Sequence, residues 1–310
     1  MMKTAQAQTL GKHKHIRSSR EDKILYTVAY VIMTLALLIV GYPLIYILSA
    51  SFSNGNAIQT GEVILWPVDV TLAGYEAVFK HKLIVSGYIN TILYTTLGTL
   101  LNVSATMICA YPLSRKDMQF KGFYMFLFVF TMYFGGGLIP SYLLMRDLKI
   151  LNSIWVMVIP GLISTYNMIV TRTFIQSNIP QEMLEAAQID GCSDFQYFWR
   201  MVLPLSKSVI AVITLYYAVG HWNSYFNALI YLTDREKYPL QIILREILVS
   251  NQVNFSEVQG IDPEQIAAQS SLANQLKYAL IIVSCAPILA AYPFVQRYFV
   301  KGVMIGSVKG

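Results

Sequence analysis

The residues whose types and spacing could do chemistry gather in one stretch. Asn178-Ile-Pro-Gln-Glu-Met-Leu-Glu-Ala-Ala-Gln-Ile-Asp-Gly191 runs on through Cys-Ser-Asp-Phe-Gln-Tyr-Phe-Trp-Arg-Met-Val-Leu-Pro204. Pro180 suits a first helical turn, since its missing N–H would have no partner there. Glu182 and Glu185 follow near that helix start, where negative charge is favoured. Gly191 suits a helix stop, and Ser193 or Asp194 can cap a second short helix. Pro204 then breaks the chain. The expectation is two short helices joined at a glycine, carrying Met183, Leu184, Ile189, Phe195, Phe198, Trp199 and Val202. A free loop does not expose that much apolar surface, so the hairpin packs on something. That something is either the ends of the chain's own helices or a second protein. The chemistry here is recognition. The chain holds no GxxxxGK[ST], HExxH or GxSxG, so it offers no nucleotide loop, zinc helix or nucleophile elbow of those kinds.

A second set lies just downstream: Tyr217, His221, Asn223 and Tyr225, with Tyr216, Trp222 and Asn227 around them. Aromatic faces against sugar rings, with a few polar groups for hydroxyls, make a saccharide site. These four are candidate substrate-pathway residues. Hydrogen bonding between packed helices explains the same residue types equally well, and Tyr166, Asn167, Asn90 and Asn102 join them under that reading. Gly135-Gly-Gly137 before Pro140 marks a helix bend. Cys109, Cys192 and Cys285 fall in no metal spacing and read as small buried hydrophobes. No metal site is expected.

The elements that must position these residues are membrane spans. The chain has 310 residues, 55% of them hydrophobic and only 13% charged, with a mean hydropathy of +0.49. Soluble domains carry about 25% charge, so lipid is the solvent indicated. Spans of about 20 apolar residues fall at 24–49, 88–113, 122–145, 153–175, 205–232 and 276–299. Their connections differ in charge. Lys3, Lys12, Lys14, Arg17, Arg20, Lys23, Arg115, Lys116, Lys121, Arg172, Arg200, Lys207, Arg297, Lys301 and Lys309 lie on one side. Lys80, Lys82, Arg146, Lys149, Arg235, Lys237, Arg245 and Lys277 lie on the other. The basic side faces the cytoplasm, which puts both termini inside, as an even number of spans also requires. The expected division is a basic segment 1–23 that meets anionic lipid, a six-helix domain 24–299, and a cytoplasmic tail 300–310. Connections 50–87 and 233–275 are external, and 176–204 is internal. The basic balance reports orientation, not nucleic acid.

None of the 17 Asp and Glu falls within a span core. Carriers driven by ion gradients often keep a carboxylate there, so the chain reads as a conduit powered by another subunit. A stand-alone carrier whose ion site is built from carbonyls and hydroxyls stays open.

Glu185-Ala186-Ala187, three residues, Gly191, nine residues and Met201-Val202-Leu203-Pro204 resemble the EAA loop of ATP-binding-cassette (ABC) importer permeases. Met201 stands where that pattern has Ile, a swap of similar volume. The tail, Gly302-Val-Met-Ile-Gly306-Ser-Val-Lys309-Gly310, is similar to that of maltose-transporter-type permeases. Gly41-Tyr-Pro-Leu-Ile-Tyr and Tyr292-Pro-Phe-Val-Gln-Arg resemble the LplC/YtcP-like carbohydrate permeases. The resemblance implies an all-α bundle of six spans in the bacterial plasma membrane. It implies an importer of oligosaccharide from polysaccharide breakdown, working by alternating access, in a chain that is not itself an enzyme. ATP and Mg would be bound by a homodimeric ABC ATPase, with no cofactor in this chain. The other partners implied are a second, homologous permease and an extracellular sugar-binding protein docked on 50–87 and 233–275, with part of 250–262 reaching into it. By the same resemblance Glu185 contacts the ATPase, Ala186 and Ala187 permit close approach, and Gly191, Leu203 and Pro204 shape the loop. Gly306, Lys309 and Gly310 reach the ATPase interface. A peptide or amino-acid importer would carry the same loop.

Overall fold

The computed structural model of the chain describes residues 19–253 and 263–306, and these are helical, with no strand among them. The first helix, α1 (Arg20–Ser51), opens on a capping box: the Ser19 hydroxyl accepts from the Asp22 N–H, and the Asp22 carboxylate accepts from the Ser19 N–H. Short helices α2 (Gly55–Gln59) and α3 (Ala73–Lys80) fill the connection to α4 (Lys82–Ser114). Then come α5 (Lys121–Tyr133), α6 (Leu138–Asp147), α7 (Ile154–Val158) and α8 (Thr165–Asn178). The hairpin follows as α9 (Gln181–Ile189), α10 (Asp194–Tyr197), a π-helical turn over Phe198–Val202, and α11 (Leu203–Leu205). Beyond it lie α12 (Lys207–Trp222), α13 (Phe226–Tyr231), a 3-10 turn over Arg235–Lys237, α14 (Leu240–Val253) and α15 (Pro263–Gly306).

Three helices, α1, α4 and Ser270–Ala290 within α15, are long and apolar enough to cross a membrane by themselves. Two bent pairs raise that to five if each pair is one span. α5 and α6 meet at 114° across the three glycines, where the sequence predicts a bend. The hairpin's second arm, Asp194–Leu205, meets α12 at 79° just past Pro204. The continuous fourth span expected over 153–175 is not observed. It is split into α7 and α8 by an unwound segment at 159–164, which contains Pro160 and Gly161. The continuous helix expected over 205–232 is likewise interrupted, at Ser206 and again at 223–225. Both connections expected to be external, 50–87 and 233–275, contain helix, including α14 where the amphipathic Leu240–Leu248 stretch predicts it.

α4 is the axis of the bundle, packed against α8, α12 and α14. Its polar residues recur at three- and four-residue spacing, so they share one face. Thr91 Oγ1 accepts from the Leu240 N–H at 2.8 Å, tying α14 to α4. Asn102 Nδ2 donates to the carbonyls of Gly161 (3.1 Å) and Leu162 (2.8 Å). Thr106 Oγ1 lies 2.7 Å from the Tyr217 hydroxyl, which also accepts from the Ser164 N–H at 3.0 Å. Unwound backbone at membrane depth persists only where its polar groups find partners. Asn102 and Tyr217 supply them for the break between α7 and α8.

Apolar packing divides along α4. Ile84 and Tyr94 join Leu240, Ile243, Trp222, Tyr231 and Leu280 in one core. Met107, Ala110 and Tyr111 join Met168, Tyr197, Phe198, Val202 and Ile213 in another, beside the hairpin. A third, smaller core seats α2 on the end of α1, through Ala50, Ala57 and Ile58. Over most of its length α1 buries nothing against the rest of the chain, and its apolar side chains are exposed. Lipid or another subunit must cover them.

Candidate functional site: a docking hairpin and the helix that holds it

Local signals build the hairpin. α9 ends at Gly191, whose φ of +77° is left-handed and favours glycine. Its N–H donates to the Gln188 carbonyl at 3.0 Å, and the Cys192 N–H donates to that of Ala187 at 2.9 Å. Ser193 starts α10 with a second capping box, its hydroxyl accepting from the Gln196 N–H and the Gln196 side chain accepting from its N–H. The π-helical turn shifts the register before Pro204.

The structure divides the predicted apolar set in two. Phe198 and Val202 are buried, with Met183 and Leu184 half-buried. Phe198 packs on Tyr111 of α4, ring centroids 5.3 Å apart, and Tyr197 lies 6.4 Å from the same ring. Ile189, Phe195 and Trp199 face outward at 87%, 73% and 55% exposure. Phe195 and Trp199 contact each other at 6.1 Å, forming an exposed aromatic pair. One side of the hairpin therefore rests on the chain's own helices, and the other is apolar and uncovered.

Arg115, just past the end of α4, anchors the hairpin. Its Nε and Nη2 donate to the two Asp117 oxygens at 2.8 and 2.5 Å, a two-pronged pair. Nη1 donates to the Asp194 carboxylate at the start of α10, and to the Tyr111 hydroxyl at 3.4 Å. The Arg115 side chain is only 14% exposed. The hydrogen bonds from Arg115 hold the Asp117 carboxyl below its ordinary range, and raise the affinity of Arg115 for its proton. The last carbonyls of α4, otherwise orphaned, are capped from elsewhere. Arg172 Nε donates to Leu113 at 2.9 Å, Gln176 Nε2 to Ser114 at 3.0 Å, and Lys121 Nζ to Arg115 at 2.9 Å. Between α4's end and the hairpin lies a cleft of about 360 Å³, lined by Arg115, Asp117, Gln176, Glu182, Glu185 and Tyr197 among others.

The predicted hairpin residues fall as follows. Glu185 is exposed on α9 and accepts from Gln181 Nε2 at 3.1 Å. Ala186 is exposed, while Ala187 is half-buried against the core. Leu203 is half-buried and Pro204 exposed. Gly306 is the last residue of α15, and Lys309 and Gly310 lie outside the described residues.

The structure does not bring the four pathway residues into one stripe. Tyr217 is buried on its bonds to Thr106 and Ser164. His221 Nε2 sits 2.7 Å from Asn102 Oδ1, and its ring fills the space left by Gly98. Both tie α12 to α4. Asn223 and Tyr225 lie past the end of α12 and are exposed. Asn223 Nδ2 donates to the Val219 carbonyl at 3.0 Å, and Tyr225 lies under the Arg245 guanidinium, 5.5 Å from its ring centroid. Sequence reasoning counted Arg115 and Arg245 only as charges. The signal for Arg115 was an arginine at a helix end beside Asp117, but its second partner lies 79 residues away.

Comparison with known proteins places this arrangement. The permease protein LplC of Bacillus subtilis is 38% identical over 272 residues, covering 86% of this chain and 89% of LplC. The polygalacturonan/rhamnogalacturonan transport system permease YtcP of the same organism is 36% identical over 290 residues, 94% of this chain and 100% of YtcP. A chain from a bacterial ABC transporter involved in import of the acidic polysaccharide alginate superposes with a TM-score of 0.81 at 35% identity, covering 91% of this chain and 99% of that one. The family described as the binding-protein-dependent transport system inner membrane component matches residues 16–305. This chain belongs to that family, the permease subunits of ABC importers.

Proposed function

We propose that this chain is one of two homologous permease subunits of an ATP-driven importer, and that it passes an oligosaccharide from polysaccharide breakdown across the membrane by alternating access. The observation that carries the reading is the hairpin: apolar and uncovered at Ile189, Phe195 and Trp199, acidic at Glu185 beside them, and fixed on its other side to α4. Such a surface suits a cleft in a soluble ATPase. A homodimeric ABC ATPase binds ATP and Mg, and its closure pushes the hairpin. Ala186 and Ala187 let the partner approach, Gly191, Leu203 and Pro204 set the hairpin's shape, and Gly306, Lys309 and Gly310 are the tail residues that contact the ATPase. Six spans cross the bacterial plasma membrane, three of them bent or broken, with both termini cytoplasmic. An extracellular sugar-binding protein docks on 50–87 and 233–275. The sugar reading is supported by relatives named for polygalacturonan/rhamnogalacturonan transport and for import of the acidic polysaccharide alginate. Tyr217 and His221 hold the helices that frame the pathway, and the exposed Asn223 and Tyr225 face the solute.

The test is Glu185→Lys in the full complex, co-purified and assayed for hydrolysis with binding protein and oligosaccharide. The expected result is loss of the ATPase subunit, or a fall in sugar-stimulated hydrolysis of about 5- to 150-fold, the usual range of inter-site coupling. A variant that assembles, hydrolyses and takes up sugar as wild type does would overturn the reading.

A further inference from the structure

Arg245 sits in a setting that the docking hairpin does not explain. It lies on α14, which is anchored by the buried Leu240, Ile242, Ile243 and Leu244 and by the Leu240 bond to Thr91. Its guanidinium lies over the ring of Tyr225, 5.5 Å from the centroid, in the break that follows α12. Beside them, between α14 and α15, is a cavity of about 420 Å³, lined by Tyr225, Gln241, Arg245, Leu248, Ile281 and Ser284 among others. That lies within the range of small-molecule sites, roughly 300–1,000 Å³.

The charges around Arg245 are specific. The adjacent carboxylate, Glu246, lies 3.7 Å from Arg235. No carboxylate among the described residues lies within ion-pair distance of Arg245. A cation–π contact at that distance uses none of the guanidinium N–H donors, which keep the fork that matches a carboxylate. Gln241 is a second polar residue lining the same cavity. Ser284 Oγ donates to the Ile281 carbonyl at 2.9 Å and keeps acceptor capacity. Leu248 and Ile281 supply an apolar wall. A cationic fork, an aromatic edge, two polar groups and an apolar wall around one concave space are what an acidic sugar ring requires.

We propose that this cavity is a subsite for the carboxylate-bearing ring of a uronic-acid oligosaccharide, with Arg245 taking the carboxylate and Tyr225 holding the guanidinium beside the cavity. The inference rests on the sugar-import reading and deepens it: the solute is anionic, and this chain reads its charge. A carboxylate side chain of a docked partner protein is the rival occupant. The concave space, roomy enough for a sugar ring, favours the sugar.

The experiment is equilibrium binding to the full transporter complex in nanodiscs, without binding protein, using trigalacturonate and its methyl ester, which keeps the skeleton and removes the charge. Uptake of both is measured in parallel with binding protein present. Wild type is expected to bind the acid more tightly than the ester. Arg245→Gln is expected to weaken acid binding about tenfold or more, the scale of a lost charge-assisted bond, and to leave ester binding in place. Arg245→Lys, which keeps the charge without the fork, should fall between. Co-purification of the ATPase shows that each variant is assembled. Equal affinity of wild type for acid and ester overturns the proposal, as does an equal loss of both in Arg245→Gln. If Arg245→Gln leaves sugar binding intact but abolishes stimulation of hydrolysis by the binding protein, Arg245 is a docking contact and the proposal is wrong. Uptake of neutral sugars alone overturns the acidic subsite and leaves the sugar-import reading standing, whereas uptake of no sugar by an assembled complex overturns both.

Discussion

At Gly98 the missing side chain is what lets His221 reach Asn102. A Cβ built there would lie 2.4 Å from His221 Nε2 and 2.5 Å from Cε1. No side chain tolerates that approach, so the imidazole would have to turn away and give up its 2.7 Å bond to Asn102. Gly98→Ala is therefore expected to destabilise the folded chain by about 1–3 kcal/mol, the usual cost of overpacking a tight contact. Thermal unfolding of the purified complex checks this, and an unchanged midpoint would show that the ring has room to move. The residues of this contact were partly legible in the sequence. Asn102, Tyr217 and His221 stand out because polar groups are costly inside apolar spans. Their pairing did not, because Asn102 and His221 are 119 residues apart and Thr106 and Tyr217 are 111 apart. Spacing along a helix reveals neighbours three and four positions away, and nothing at that range connects α4 to α12.

The same limit governs the elements. The hairpin was readable because its devices are local: Ser193 and Gln196 are three residues apart, and Gly191 acts on its own φ. The three glycines announced the bend between α5 and α6 for the same reason. The break at 159–164 was hidden within an apolar run, because what sustains it comes from α4 and α12 through Asn102 and Tyr217. The attachment of the hairpin was equally hidden, and it carries a prediction. Arg115 joins the end of α4 to the first residue of α10 through Asp194, while Phe198 and Tyr197 pack on Tyr111. Arg115→Ala leaves the aromatic contacts but removes the ionic link. The two aspartates are more than half exposed, which discounts the loss. Amide hydrogen exchange over 181–205 should speed up by about tenfold, as expected when a local unit loses an anchor of this size. Exchange over α12 should stay as it is, and a rise spread evenly over both would mean that Arg115 supports the whole bundle rather than the hairpin.

At the scale of the whole molecule, helix length and charge bear on how often the chain crosses the membrane and on which end of the bundle faces the cytoplasm. Helix length and apolarity give three spans, or five when bent pairs are joined. The sixth crossing would be α7 with α8, which pass no length test because the break leaves neither long enough. Charge gives an independent route. Of the 23 Lys and Arg, those flanking the hairpin end of α4, the hairpin itself and the two chain ends outnumber those on the opposite connections by 15 to 8. Such an excess marks the cytoplasmic side. Two single-cysteine positions decide the matter, in a chain with Cys109, Cys192 and Cys285 replaced. Glu62→Cys lies in the connection after α2 and is exposed, and Arg200→Cys lies in the hairpin and is exposed. A membrane-impermeant maleimide added to intact cells should label position 62 and spare position 200, and permeabilisation should expose both. With α1 and α4, each long and apolar enough to cross, taken as crossings, 62 and 200 can lie on the same side only if a bent pair is a re-entrant loop or the break between α7 and α8 turns the chain back. Equal labelling in intact cells would therefore refute the six-span inside-to-inside reading, and with it the docking of the hairpin on a cytoplasmic ATPase.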